Sequence, residues 1–295
     1  MYPVQHIRIY DMKGRAAHLR NEKTEQLKKM IRDYASEDIA VAFSGGVDSS
    51  LLLKMASDAA ALTGKSVYGI LLHTILHPAG DIKTAEQVAE EANAHFLVLE
   101  LDELSQAGIE ENPADRCYLC KKYLFRELQK KAASLGIHTI LEGTNRDDLR
   151  AYRPGIRAVR ELGIRSPLAD ASFTKAEIRS LAEEYGISVS GRPSTPCLAT
   201  RFPYGSRLSY EAMRKVEDGE AFLRGLGFYN VRLRVHGDIA RIEVDSDTLT
   251  ELILKKNEII LYLKNLGYTY IALDLEGFRS GSMDTTAIHG LAVRS

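Results

Sequence analysis

No apolar run in the 295-residue sequence approaches the ~20 residues that a membrane span requires, so no membrane partner is expected. The first residues, MYPVQHIRIYDMKGR, lack the apolar stretch of a secretory signal. Cysteine is scarce. Three cysteines do not make a disulfide framework, and a reducing cytoplasm is the natural setting. A basic excess is also missing: Lys plus Arg is 39, Asp plus Glu is 40, and the formal net charge is −1. That balance argues against a protein that holds nucleic acid or an anionic membrane by bulk charge, while leaving room for a local basic pocket. Repeats and low-complexity segments are absent. What is present is 45% apolar residues, enough for a core, and length enough for one large domain or two ordinary ones.

Apolar periodicity divides the chain into two patterns. In the first, helices over Glu22–Tyr34, Leu51–Leu62, Thr84–Ala94, Tyr118–Leu135 and Thr174–Tyr185 alternate with apolar strands at 39–43, 66–72, 95–101 and 137–142. Such alternation predicts right-handed crossovers and an α/β fold, a doubly wound parallel sheet covered on both faces. The segment 190–207, SGRPSTPCLATRFPYGSR, is too rich in proline and glycine for a regular element and reads as a loop at a domain junction. Beyond it come a helix at 209–226, strands at 229–236 and 239–245, a helix over Thr248–Leu266 and a strand at 268–275. That order predicts a smaller C-terminal α+β domain. The expected boundaries are 1–190, a linking loop at 191–207, 208–280, and a polar tail at 281–295.

The stretch FSGGVDSS, residues 43–50, joins the first strand to a helix. Backbone amides at such a turn point outward together, and the helix start adds partial positive charge, so the turn suits an anion. Gly45 and Gly46 allow close approach, Ser44, Ser49 and Ser50 offer hydroxyls, and Asp48 can hold Mg²⁺. An ordinary capped turn is the plainer alternative. A Walker A loop is excluded because no G-x-x-x-x-G-K-[ST] is present.

Ser44-Gly45-Gly46-Val47-Asp48-Ser49 after an apolar strand resembles the PP-loop family of ATP pyrophosphatases, which share an adenine nucleotide alpha hydrolase-like fold. The resemblance implies that the turn cradles the pyrophosphate of ATP while AMP is transferred to an acceptor oxygen. Glu142-Gly143-Thr144-Asn145-Arg146-Asp147-Asp148 resembles that family's element near ATP, and Arg165-Ser-Pro-Leu followed by Phe173-Thr-Lys175 resembles a second. The likeness assigns Gly143, Thr144, Asn145, Asp148 and Lys175 to nucleotide binding, Lys175 on a phosphate. Taken alone, Asp147 and Asp148 read equally well as a solvated pair, and Lys175 as an exposed lysine at a helix start.

The cysteines are Cys117 and Cys120, spaced CxxC, and Cys197 in the proline-rich loop. Three readings stay open from spacing alone: unrelated reduced thiols, a Zn²⁺ site lacking an evident fourth ligand, or a three-cysteine [4Fe–4S] cluster with one iron open. Separately, Cys197 could itself donate sulfur, with Arg201 lowering its pKa.

GRPSTPCLATRFPYG, NPADRCYLCKK and VRLRVHGDIARIEV together resemble the LarE family, ATP-dependent sulfur transferases of nickel-pincer nucleotide cofactor assembly, over about residues 20–280. The resemblance implies a small mononucleotide substrate, pyridinium-3,5-biscarboxylic acid mononucleotide. One of its carboxylates is adenylated and then converted to a thiocarboxylate. Some members sacrifice the loop cysteine, whereas others carry a further CxxC with a [4Fe–4S] cluster. Cys117, Cys120 and Cys197 place this chain with the cluster type, with ATP, Mg²⁺ and the cluster as cofactors, Cys197, Asp48 and Arg201 in catalysis, and a homo-oligomer as the assembly. The substrate's phosphate and carboxylates suit Arg232 and Arg234, which share one face of a strand, with Glu220 approaching from the preceding helix.

Rival functions differ in their requirements. An ammonia-using synthetase needs no cysteines and usually a glutaminase, of which there is no sign. A tRNA thiolase needs a broad basic surface. A non-catalytic ATP-binding module would release no pyrophosphate.

Overall fold

A computed structural model describes residues 7–77, 81–150, 153–192, 196–279 and 283, the side chains of 7–19 and 81 apart. The expected tail at 281–295, Met283 excepted, and residues 193–195 of the expected loop lie outside these. In chain order the helices are α1 (Ile7–Tyr34), α2 (Val47–Ala61), α3 (Asp81–Glu91), α4 (Glu103–Gln106), α5 (Arg116–Ser134) and α6 (Arg146–Arg150). They continue as α7 (Gly155–Glu161), α8 (Pro167–Asp170), α9 (Lys175–Glu184), α10 (Tyr210–Gly225), α11 (Leu249–Leu254) and α12 (Lys256–Asn265). The strands are β1 (Ile39–Phe43), β2 (Val67–His73), β3 (His95–Glu100), β4 (Thr139–Leu141), β5 (Arg232–His236), β6 (Ile239–Glu243) and β7 (Tyr270–Leu273).

The chain forms two compact units. The first comprises Met1–His73, Gly80–Leu101 and Lys121–Ser194. Its four strands are parallel in the order β3-β2-β1-β4. β1 reads Ile-Ala-Val-Ala-Phe because both faces of a parallel sheet are covered. Ile39, Val41 and Phe43 join Leu27 and Ile31 of α1, Leu51–Leu53 of α2 and Ile178 and Leu181 of α9 in one apolar cluster. Ala40 joins Phe125 and Leu128 of α5 and Val159 of α7 in a second. The doubly wound α/β architecture follows from that alternation. α9 starts where it does because Thr174 and Glu177 form a reciprocal capping box.

The second unit comprises Thr74–Ala79, Asp102–Cys120 and Thr195–Ser295. The segments 74–79 and 102–120 lie in sequence within the 1–190 stretch. Its sheet has the order β5-β6-β7, with β5 and β6 antiparallel and β6 and β7 parallel. Met213, Val216 and Leu223 of α10 and Ile259 and Leu263 of α12 pack on Leu233, Ala240 and Ile242. Two expectations are corrected. The single helix over Thr248–Leu266 is two, broken at Lys255, whose ammonium pairs with Glu251 at 2.9 Å and donates to the Leu226 carbonyl at 2.6 Å. The 190–207 segment does hold a regular element, a 3₁₀ turn at Leu198–Arg201.

Leu53 is fully buried, and its two methyls lie 3.2 Å from where a Cβ on Gly69 would stand. Packing this tight leaves a cavity on truncation. Leu53→Ala should lower the unfolding free energy by about 2–5 kcal/mol in urea titrations.

Candidate active site

In the first unit, β2 and β3 lie on one side of β1 and β4 on the other. The chain reverses direction of winding there, and ligands of open α/β sheets bind outside the carboxyl ends of the strands at such a point. The glycine loop follows β1 and the Glu142–Asp148 segment follows β4. Gly45 has φ +66°, and a Cβ there would meet Ala85 at 3.2 Å. A Cβ on Gly143 would meet Asp48 Cβ and Ser49 N at 3.2 Å, so the two loops touch with no room for a side chain. The N-cap of α2 is Gly46, which makes no side-chain cap bond. The first-turn amides of α2 are thus left for an anion.

The loop serines divide. Ser44 is exposed, its hydroxyl 3.1 Å from that of Ser49. Ser49 and Ser50 are buried and donate to the Gly46 carbonyl at 3.1 and 2.9 Å, bracing the turn instead of facing a ligand.

Asp48 Oδ2 accepts from Lys175 Nζ at 2.7 Å and from Asn145 Nδ2 at 3.5 Å, whereas Oδ1 is buried with no partner. Burial raises the carboxyl's pKa, and Lys175 opposes that rise. An orphaned buried carboxylate oxygen is costly, and a hard cation satisfies it. Asp48 therefore fits Mg²⁺. Lys175 rests on Asp48, and its backbone N–H donates to Asp147 at 2.8 Å. Asn145 Oδ1 accepts the N–H groups of Asp147 and Asp148 at 2.9 and 3.1 Å, and Asp148 returns an acceptor to Asn145 N at 3.1 Å. Buried Glu142 accepts from Thr144 N and Oγ1 at 3.1 and 2.8 Å, from Lys121 at 3.3 Å and from Ser166. Glu142 was legible only as part of its motif, yet it is the hub that shapes this loop.

In the second unit Arg201 is fully buried, its guanidinium forked onto Glu220 at 2.8 and 3.0 Å. Its Nη1 donates to the carbonyls of Pro196 and Cys197 at 2.8 and 3.2 Å. Glu220 also accepts from Arg224 at 2.8 Å and Leu233 N at 3.0 Å. Two expectations change. Arg201 shapes the Cys197 loop, and its lowering of the thiol's pKa is outweighed by burial. Although the thiol keeps some exposed surface, the dense protein around it desolvates it and pushes its pKa up to about 11. The leading opposing charge is Arg116, ahead of Arg201. Glu220 is a counter-ion inside the fold, with its oxygens already used.

Arg234 is also buried, 2.9 Å from Glu243 and donating to the Thr200 carbonyl at 2.9 Å. Arg232 differs. It lies two residues along the same strand, 5.0 Å over the Phe278 ring, donates to the Val231 carbonyl at 2.7 Å and makes no ion pair among the described residues. Burial, with Arg201 beside it, lowers its pKa to about 10, which leaves it charged at neutral pH. Of the two arginines expected to hold the substrate's anions, Arg234 is paired with Glu243 and Arg232 makes no ion pair among the described residues.

Cys117 is exposed, while Cys120 and Cys197 are half-buried against the apolar core of the second unit. Among the described residues no group of three His, Cys, Asp or Glu is gathered as a metal ion would require. By chemistry the donor set, three free thiols, suits an iron–sulfur cluster. Arg116, adjacent to the CxxC, was not anticipated: it is buried, donates to Asn112 Oδ1 at 2.7 Å and lies 4.6 Å over the Tyr204 ring.

A glycine turn at the switch point, an uncapped helix start and a carboxylate with one buried, unpartnered oxygen are the features of a PP-loop domain. The PP-loop domain family model matches residues 19–152. The chain is 38% identical over 248 residues, 84% of its length and 89% of the other's, to the pyridinium-3,5-bisthiocarboxylic acid mononucleotide synthase of Lactiplantibacillus plantarum. It is 35% identical over 249 residues, 83% and 91% of the two lengths, to an uncharacterized protein of Synechocystis. A protein of Methanocaldococcus jannaschii is 33% identical over 260 residues, 88% and 98% of the lengths. The chain belongs to the LarE family of the PP-loop superfamily and is an ATP-dependent enzyme. No helix among the described residues is long and apolar enough to cross a membrane.

If Glu220 is the counter-ion of Arg201, Glu220→Gln should cost about 3–5 kcal/mol in urea unfolding, because a buried guanidinium loses its partner. A substrate ligand would instead raise KM with stability unchanged.

Proposed function

We propose that the protein is a sulfur transferase of nickel-pincer nucleotide assembly, acting on pyridinium-3,5-biscarboxylic acid mononucleotide. The observation that carries the reading is the uncapped start of α2 beside the spare oxygen of Asp48. A carboxylate is a poor electrophile because its oxygen leaves badly. One carboxylate oxygen of the substrate attacks the α-phosphorus of ATP, the α–β anhydride bond breaks, and pyrophosphate departs with the bonding pair. Hydrosulfide then attacks the acyl carbon, the bond to AMP breaks, and AMP leaves with a thiocarboxylate formed.

The residues divide this work. The α2 amides and Ser44 receive the pyrophosphate, and Lys175 neutralises charge beside it. Mg²⁺, held through Asp48, would supply further charge stabilisation at the leaving group. Gly143, Thr144, Asn145 and Asp148 form the loop beside the nucleotide. Arg232 takes the substrate phosphate or a carboxylate, supported by Arg234, while Arg201 and Glu220 hold the frame. Cys117, Cys120 and Cys197 would hold a [4Fe–4S] cluster, which supplies sulfur as sulfide. A cytoplasmic setting keeps these thiols reduced.

The test supplies the mononucleotide and ATP to anaerobically purified protein and follows pyrophosphate, AMP, iron content and intact mass. Asp48→Asn should reduce AMP formation about 10²-fold or more. Bound iron with unchanged mass over several turnovers supports the cluster. Loss of one H₂S from Cys197 supports the sacrificial route instead. Activity over many turnovers with neither would remove both.

A further inference from the structure

Glu103 belongs to no motif and has no part in the chemistry above. It opens α4, and its side chain is completely buried. A carboxyl so placed is costly unless its oxygens are used. Oε1 accepts the N–H of Leu76 at 3.2 Å, while Oε2 has no partner. Burial raises the acid's pKa, and the Thr74 hydroxyl opposes the rise. Thr74 is itself buried, its hydroxyl 3.0 Å from His77 Nδ1 and 3.3 Å from Leu76 N. The carboxyl therefore pins the segment Thr74–His77.

That segment holds the cysteine loop. The Leu76 carbonyl accepts the N–H of Leu198 at 2.9 Å, and Leu198 is bonded directly to Cys197. Leu76, Leu104 and Leu198 are buried in the same apolar cluster. The carbonyl of Cys197 accepts from Thr200 N at 3.1 Å, Thr200 Oγ1 at 2.8 Å and Arg201 Nη1 at 3.2 Å. The peptide that follows Cys197 is thus gripped through its oxygen by Thr200 and Arg201, and through its N–H by Leu76.

We propose that Glu103 is a positioning residue for Cys197, acting through Leu76 to set the backbone from which the sulfur projects. The inference rests on the role given to Cys197 above. It requires an acceptor at Oε1 and no charge. Glutamine keeps an acceptor there, and leucine removes it.

The test compares wild type, Glu103→Gln and Glu103→Leu as full-length protein. Three quantities are read: pyrophosphate released with ATP and the mononucleotide, thiocarboxylate formed per pyrophosphate, and iodoacetamide alkylation of Cys197 in reduced, iron-free protein. Exposed Cys117 serves as the internal reference in peptide mass mapping. Glu103→Leu should keep pyrophosphate release within about twofold while thiocarboxylate per pyrophosphate falls about tenfold or more. Its Cys197-to-Cys117 alkylation ratio should move about threefold. Glu103→Gln should stay within about twofold of wild type on all three. If Glu103→Leu does not fold, the isosteric Thr74→Val takes its place, with a shift of about two- to fourfold expected in the same two ratios. Wild-type values of both ratios in the leucine or valine variant would overturn the inference, as would a glutamine variant as impaired as the leucine one. A wild type that releases no pyrophosphate would instead overturn the functional reading, and the alkylation ratio alone would then decide the role of Glu103.

Discussion

The first unit is organised around a turn whose backbone amides are capped by no side chain. Gly46 caps α2 with no side chain, so the turn needs other support. It comes from inside, where Ser49 and Ser50 donate to the Gly46 carbonyl, and from outside, where Gly143 lies against Asp48 and Ser49. The parallel sheet makes this possible, because β1 and β4 are neighbours and deliver the two loops side by side. Asp48 then sits where burial makes one oxygen expensive, which is the condition under which a cation is worth holding.

The second unit applies the same economy to positive charge. Arg201 and Arg234 are buried with carboxylates matched to them, and each also donates to a carbonyl in the 196–201 stretch. They are rigid posts for the cysteine loop. Arg232, on the same strand face as Arg234, has no such partner among the described residues. Buried pairs of this kind add little net stability but penalise any other arrangement of the loop.

Much of the fold was legible because it rests on periodicity. The apolar run at 39–43, the glycines after it and the helix expected from Thr174 each have a local physical cause, and each stands where the sequence puts it. The break at Lys255 was not legible, since no proline or glycine marks it and the backbone departs from the helix at that one residue. Arg201 was misread for the same reason. Four positions from a cysteine in sequence, an arginine looks like an activator, and only the distant Glu220 shows it to be an anchor. Glu103 was invisible as a functional residue because its partner Leu76 is 27 positions away, and the part of Glu142 that reaches Ser166, 24 positions away, was hidden for the same reason.

The sequence by itself determined the doubly wound sheet, the place of the nucleotide turn and the LarE kinship. All of these are written in residues that are neighbours along the chain or repeat with a fixed period. Tertiary structure alone decided which charges are spent and which are free. A side chain's ionic partner and burial are set by contacts between remote segments, which no local pattern encodes.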